Sequence, residues 1–217
     1  MSLTLVIANK AYSSWSFRPF ILMRHFGIPF VEIVIPLGEA TTHAEILRHS
    51  PSGRCPALRD GAHTVWDSLA IIEYLAERFP ELPIWPAEAT ARATARSLAA
   101  EMHSGFAALR ADFPMNMRRP VRRREVPSEA QADVERLETA WSDARQAFGA
   151  SGDFLFGDFS AADAMFAPVV NRLHVYDVAV DTATRAYMDC VRALPAYRDW
   201  QKGAEAESWR IDKYEDL

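Results

Sequence analysis

The apolar positions divide the chain into two regimes. Up to about residue 80, short β-branched runs alternate with helically spaced ones; after it, apolar positions recur only at helical spacing. Leu3 to Ala8 predicts a strand, apolar enough to be covered on both faces. Phe17, Phe20, Ile21 and Met23 to Phe26 predict a helix opened by Ser13 or Ser14 and ended by Gly27. Phe30 to Ile35 predicts a second strand, with a short helix expected around Ala44–His49. Ala57–Arg59 and Thr64–Trp66 predict hairpin strands joined through Asp60-Gly61. Leu69, Ile72, Leu75 and Phe79 predict a closing helix, giving the order βαβ-α-ββα.

Pro80, Pro83 and Pro86 then punctuate the pattern. They set the expected organisation: an α/β domain over 1–80, a linker over 81–87 and an all-helical domain over 88–217. In the second domain Leu98, Met102, Phe106, Leu109 and Phe113 form one stripe, and Val134, Leu137, Trp141, Ala144 and Phe148 another. Ser160-Ala-Ala-Asp163 reads as a helix start with Asp in place of the Glu of a capping box, so that losing Asp163 is expected to cost about 1 kcal/mol. Tyr187, Cys190, Val191 and Leu194 continue the helical pattern to Pro195.

Composition changes this picture only by exclusion. With 217 residues, 49% of them hydrophobic and 24% charged, the chain can bury a core without disulfides or metals. Two cysteines, Cys55 and Cys190, are too few for a disulfide framework and suit a reducing compartment. The net charge of −5 speaks against general nucleic-acid binding, and it arises wholly after residue 80. The basic run from Arg118 to Arg124 is expected to be a solvated loop. No signal peptide or apolar run of membrane-spanning length is visible, so a cytoplasmic protein without membrane or nucleic-acid partners is expected. The histidines at 25, 49, 63, 103 and 174 lack ligand spacing, and no metal is expected.

Three segments carry chemistry together: Tyr12-Ser13-Ser14-Trp15-Ser16-Phe17-Arg18, Ser50 to Leu58 with Cys55-Pro56 at its centre, and Trp66-Asp67-Ser68 running into the closing helix. Set in a βαβ-α-ββα unit followed by helices, they resemble the soluble glutathione S-transferase superfamily, nearest its serine-type zeta and tau classes. The resemblance implies a thioredoxin-like glutathione-binding domain, a helical domain contributing an electrophile pocket, glutathione as co-substrate and a homodimer.

It also implies roles. Ser68 and the N–H groups of its helix would receive the γ-glutamyl carboxylate, and Asp67 the ammonium. The residue before Pro56, cis in the family, would offer its backbone to the glutathione cysteine, so Cys55 acts through its main chain. Arg54, or else His43, would meet the glycine carboxylate. An ungapped alignment puts the active serine on Ser13, with Ser14 second and Tyr12 an alternative. Lowering a thiol pKa from about 8.5 to about 6.5 takes roughly 2.7 kcal/mol, within reach of one charge-assisted hydrogen bond and a helix N-terminus. Tyr12, Trp15, Met102, Phe106, Met115 and Met117 are expected to line the second-substrate pocket. Trp15 stands where the zeta motif has cysteine, which weakens a zeta-type cis-trans isomerase reading. A non-catalytic binding protein on the same fold is the rival.

Overall fold

Strand β1, Leu3–Ala8, is buried along nearly its whole length because it lies inside a four-stranded sheet of order β2-β1-β3-β4. The computed structural model describes residues 2–215; positions 1, 216 and 217 of the expected domains lie outside them. Strand β2, Phe30–Ile35, runs parallel to β1, pairing Leu3 with Phe30 and Ala8 with Ile35. The crossover between them is helix α1, Ser14–His25, which ends where Gly27 takes φ +66°, a conformation glycine adopts without steric cost. Strands β3, Ala57–Asp60, and β4, His63–Trp66, form an antiparallel hairpin, and β3 pairs antiparallel with β1. The pairing of Asp60 with His63 places the turn at Gly61-Ala62, one residue beyond the expected pair.

Helix α2, Thr42–Leu47, starts two residues before its expected position. The Thr42 hydroxyl donates to the Pro36 carbonyl and accepts from Glu39 N–H, which fixes the chain locally ahead of the first apolar helical position. Helix α3, Ser68–Arg78, closes the unit on one face of the sheet. No helix or strand occupies residues 79–88.

The second domain is helical: α4, Ala89–Ser104; α5, Ala107–Asp112; α6, Ser128–Phe148; α7, Ala161–Val175; α8, Thr182–Ala193; α9, Pro195–Ala206; and α10, Asp212–Glu215. The stripe Leu98 to Phe113 is therefore not one helix: Gly105 closes α4, and Phe106 at φ +55° turns the chain into α5. Helix α7 is buried at every position but His174 and packs on α1 and α4. Phe17 stacks on Trp200 of α9 at 5.0 Å, so α1 is shared between the sheet and the helices.

Asp163 does more than cap. It is fully buried and accepts from Ser160 N–H, Leu155 N–H and the Ser160 and Tyr187 hydroxyls, which raises its worth well above the expected 1 kcal/mol. The Arg118–Arg124 segment is not a wholly solvated loop either. Arg122 and Arg124 donate backbone N–H groups to Val175 and Tyr176 carbonyls, and Arg119 and Arg124 lie over the Tyr176 ring. No described helix is long and apolar enough to cross a membrane.

Candidate functional site

Three serines join the end of β1 to the first turn of α1. Ser13 is the N-cap: its hydroxyl accepts from Ser16 N–H at 3.3 Å and donates to Ser16 Oγ at 2.8 Å. Ser16 Oγ in turn accepts from Ala8 N–H at 3.1 Å. The Ser14 hydroxyl has no hydrogen-bond partner among the described residues. Tyr12 is turned away from this helix end, because its hydroxyl donates to Glu215 and accepts from Arg118 and Ile211 N–H. Burial and the Glu215 carboxylate push its pKa up, so its phenol is held as a structural donor.

The Cys55-Pro56 peptide is cis. No backbone hydrogen bond among the described residues takes the Cys55 N–H or C=O, and an amide edge left open in a cleft is suited to receiving another chain. Burial pushes the Cys55 thiol up to about 11, so at neutral pH it is neither a nucleophile nor a redox partner.

Asp67, not Ser68, caps α3, and its carboxylate accepts from Leu69 N–H at 2.8 Å. Its backbone sits at φ 75°, ψ 137°, a region non-glycine residues avoid at a cost of order 1–3 kcal/mol. Its other oxygen lies 2.7 Å from His103 Nε2 of α4. Burial pushes the Asp67 carboxyl up, yet the bonds from His103 and the Leu69 and Ala70 N–H groups outweigh it and hold the carboxyl below its ordinary value. Ser68 is fully buried, and its hydroxyl accepts from Arg18 Nη1 at 3.4 Å.

These elements border two adjoining cavities, or lobes, that share one wall. A lobe of about 510 Å³ is bounded by Pro56, Asp67, Ser68 and His103; a second, of about 870 Å³, by Tyr12, Ser13, Ser14, Arg110, Met115 and Arg172. Trp15, Arg54 and Cys55 border both. The structure thus brings together Ser13, Ser14, Arg54, Cys55, Pro56, Asp67, Ser68, Tyr12, Trp15 and Met115. It leaves out four expected residues. His43 is exposed outside both lobes, its ring against Gly53, whose φ of +65° favours glycine and whose bare Cα leaves room for that ring. Met102 and Phe106 face inward into the core, because α4 and α5 turn their apolar stripe toward the other helices, and Met117 borders a different cavity.

The sequence reading missed the cations. Arg18 is 1% exposed and Arg172 5%, and burial lowers their pKa values to about 9 and about 10, with their mutual repulsion and that of Arg110 adding to it. Both remain charged at neutral pH. Arg18 and Arg110 lie over the Trp15 ring at 4.3 and 4.8 Å, and His103 meets its edge. The available signal was an arginine inside the apolar run Phe166 to Leu173, since a charge on such a face is seldom there for packing alone. Among the described residues no group of three or more His, Cys, Asp or Glu side chains is placed to hold a metal.

Residues 12–78 match the family model for the glutathione S-transferase N-terminal domain, and residues 120–204 that for the C-terminal domain. A zeta-class glutathione S-transferase of Euphorbia esula is 42% identical over 78 residues, 35% of this chain and 34% of the relative. The match thus spans about a third of that protein's length. A stringent starvation protein A homolog of Coxiella burnetii is 26% identical over 164 residues, covering 76% of this chain and 74% of the relative. In fold, the chain is similar to a glutathione transferase homolog from Burkholderia solved with bound glutathione, with a TM-score of 0.73 and 24% identity over 95% of this chain and 100% of that one.

Proposed function

The chain belongs to the soluble glutathione S-transferase superfamily, and on that premise we propose that it is a glutathione transferase that activates the glutathione thiol for attack on an electrophilic small molecule or peroxide. One observation carries the reading. The N-terminus of α1 with Ser13 borders one lobe, the N-terminus of α3 borders the adjoining one, and Cys55, with its open backbone, borders both. A tripeptide with a free amino-acid end, a central amide pair and a terminal carboxylate finds a receiver for each there. The α3 N-terminus and Ser68 take the γ-glutamyl carboxylate, and Asp67 holds the ammonium. Cys55 pairs with the cysteine backbone, and Arg54 meets the glycine carboxylate.

Ser13 then acts on sulfur. By rotating its O–H away from Ser16 while still accepting the Ser16 N–H, it donates to the thiolate and favours the anionic form. The strained Asp67 backbone supports this assignment, since such strain persists where a ligand clamp holds it. Homodimerisation, a cytoplasmic setting and a detoxifying role complete the reading as the family suggests them.

A second reading rests on the similarity to stringent starvation protein A homologs over most of the chain and on the Ser13 hydroxyl being engaged within the fold. In it, glutathione is bound without turnover. A glutathione-dependent panel of aryl halides, peroxides and maleyl compounds, run beside glutathione calorimetry, separates the two. Turnover above the uncatalysed rate supports the transferase, binding alone supports the second reading, and neither removes both.

A further inference from the structure

The larger lobe is a cationic chamber. Arg54, Arg110, Arg172 and Lys213 border it, and among the described residues no aspartate or glutamate does. Arg172 gives one guanidinium nitrogen to the Phe113 carbonyl at 2.8 Å, while its Nη1 has no partner. Arg110 makes only long contacts of 3.3 to 3.4 Å to backbone carbonyls. Behind them Arg18 Nε is also unpartnered. Among the described residues none of these three guanidiniums is within ion-pair distance of a carboxylate.

Desolvating a cation without an adjacent counter-charge is costly; repulsion among the three compounds the cost, and only Arg18 feels a carboxylate's partial offset, from Asp67. Stacking on Trp15 returns only part of it. From this geometry we infer that the electrophile taken by the larger lobe carries a carboxylate, received by Arg172 at the floor and Arg110 at the wall. This rests on the transferase reading and narrows its substrate class. A planar oxyanion matches the guanidinium fork, and Tyr12, Tyr214 and Met115 give the rest of the molecule apolar contact. A purely apolar electrophile would leave the three cations as they are.

The test is a matched pair of probes, 4-chloro-3-nitrobenzoate and its methyl ester. In both, the thiolate sulfur forms a bond to the ring carbon and the C–Cl bond breaks, with chloride leaving on its electron pair and no change of oxidation state elsewhere. Each kcat/KM is divided by the uncatalysed rate with glutathione. The acid should be favoured over the ester by about tenfold or more, and R110M should remove most of that preference, as should R172M where it folds. Equal handling of acid and ester overturns the inference. So does a preference that survives R110M, or variants that lose glutathione affinity while the ratio stands.

Should neither chloride react, calorimetry with 4-nitrobenzoate against methyl 4-nitrobenzoate, in the presence of glutathione, still decides. Tighter acid binding that R110M abolishes keeps the carboxylate site, and the transferase reading then stands or falls separately on the peroxides and maleyl compounds of the panel; no preference for the acid overturns the inference itself.

Discussion

His103 Nε2 and Asp67 Oδ2 stand 2.7 Å apart, so the helix that opens the second domain holds the N-cap of α3 in the first. The same imidazole meets the edge of Trp15 at 5.1 Å between ring centroids. One side chain therefore fixes two borders of the smaller lobe.

His103→Ala should lower stability by about 0.5–1.5 kcal/mol, the range of one hydrogen bond, and let the Asp67 carboxyl titrate closer to its ordinary value. A carboxyl depressed in the folded state contributes stability that is present above the unfolded pKa and lost as pH falls through the folded one. The variant should accordingly lose less on acidification. Urea unfolding against pH with NMR titration of Asp67 checks this, and an unchanged titration would remove the role given to His103.

Ser68→Ala should weaken glutathione binding and also destabilise the fold by about 1 kcal/mol, since it removes the hydroxyl that Arg18 meets in the interior. Calorimetry and denaturant unfolding give the two numbers separately. Unchanged affinity would take Ser68 out of the γ-glutamyl site.

Ser13→Ala should raise the pKa of bound glutathione toward about 8.5 and depress turnover more than affinity. It should also cost about 1 kcal/mol as a lost N-cap, whereas Ser14→Ala should cost little. Ultraviolet thiolate absorbance titrated against pH in both variants identifies the donor. A shift confined to Ser14→Ala would move the role to that uncommitted hydroxyl.

Asp163→Ala should cost about 3 kcal/mol or more, because it strands several buried donors. Burial raises the Asp163 carboxyl to about 6, above the unfolded value of about 3.9. The folded chain therefore binds the proton more tightly between these values. This group's share of stability falls as pH rises through that window, by about 3 kcal/mol at most. Asp163→Asn should remove that slope, which thermal unfolding at a series of pH values would show.

Cys55→Val should keep most glutathione-dependent turnover, because the thiol is protonated and half-buried and only its backbone is used. Loss of activity with the fold intact would make Cys55 a reactive centre.

The strands, α1 and the hairpin were legible because apolar spacing and turn residues are local. The meeting of the three segments at one place was legible because each stands at a helix end or an open backbone edge, whose positions follow from the elements. Phe106 misled because a glycine and a positive φ rotate a helical stripe, and periodicity alone does not register the turn. His43 misled because α2 begins two residues earlier, where Thr42 ties down the loop. Arg110 and His103 were out of reach as site residues, since each meets the first domain only through tertiary packing between distant segments, whereas Arg172 was flagged by its place in an apolar run but not by what it faces.

The loop that leads into Ser13 is held from the far side of the sequence. Lys10 and Ala11 donate their N–H groups to Glu207, and Arg118 grips the carbonyls of Glu207 and Trp209. These two amides therefore find their partner only in the residue that follows α9, almost two hundred positions away. The turn itself does not depend on that segment, because Tyr12 and Ser13 donate their N–H groups to the Asn9 carbonyl and Leu37 N–H to Asn9 Oδ1, all within the first domain. The far end of the chain thus steadies the two residues ahead of the turn, and losing the Glu207 carboxylate would free their amides while leaving the turn closed.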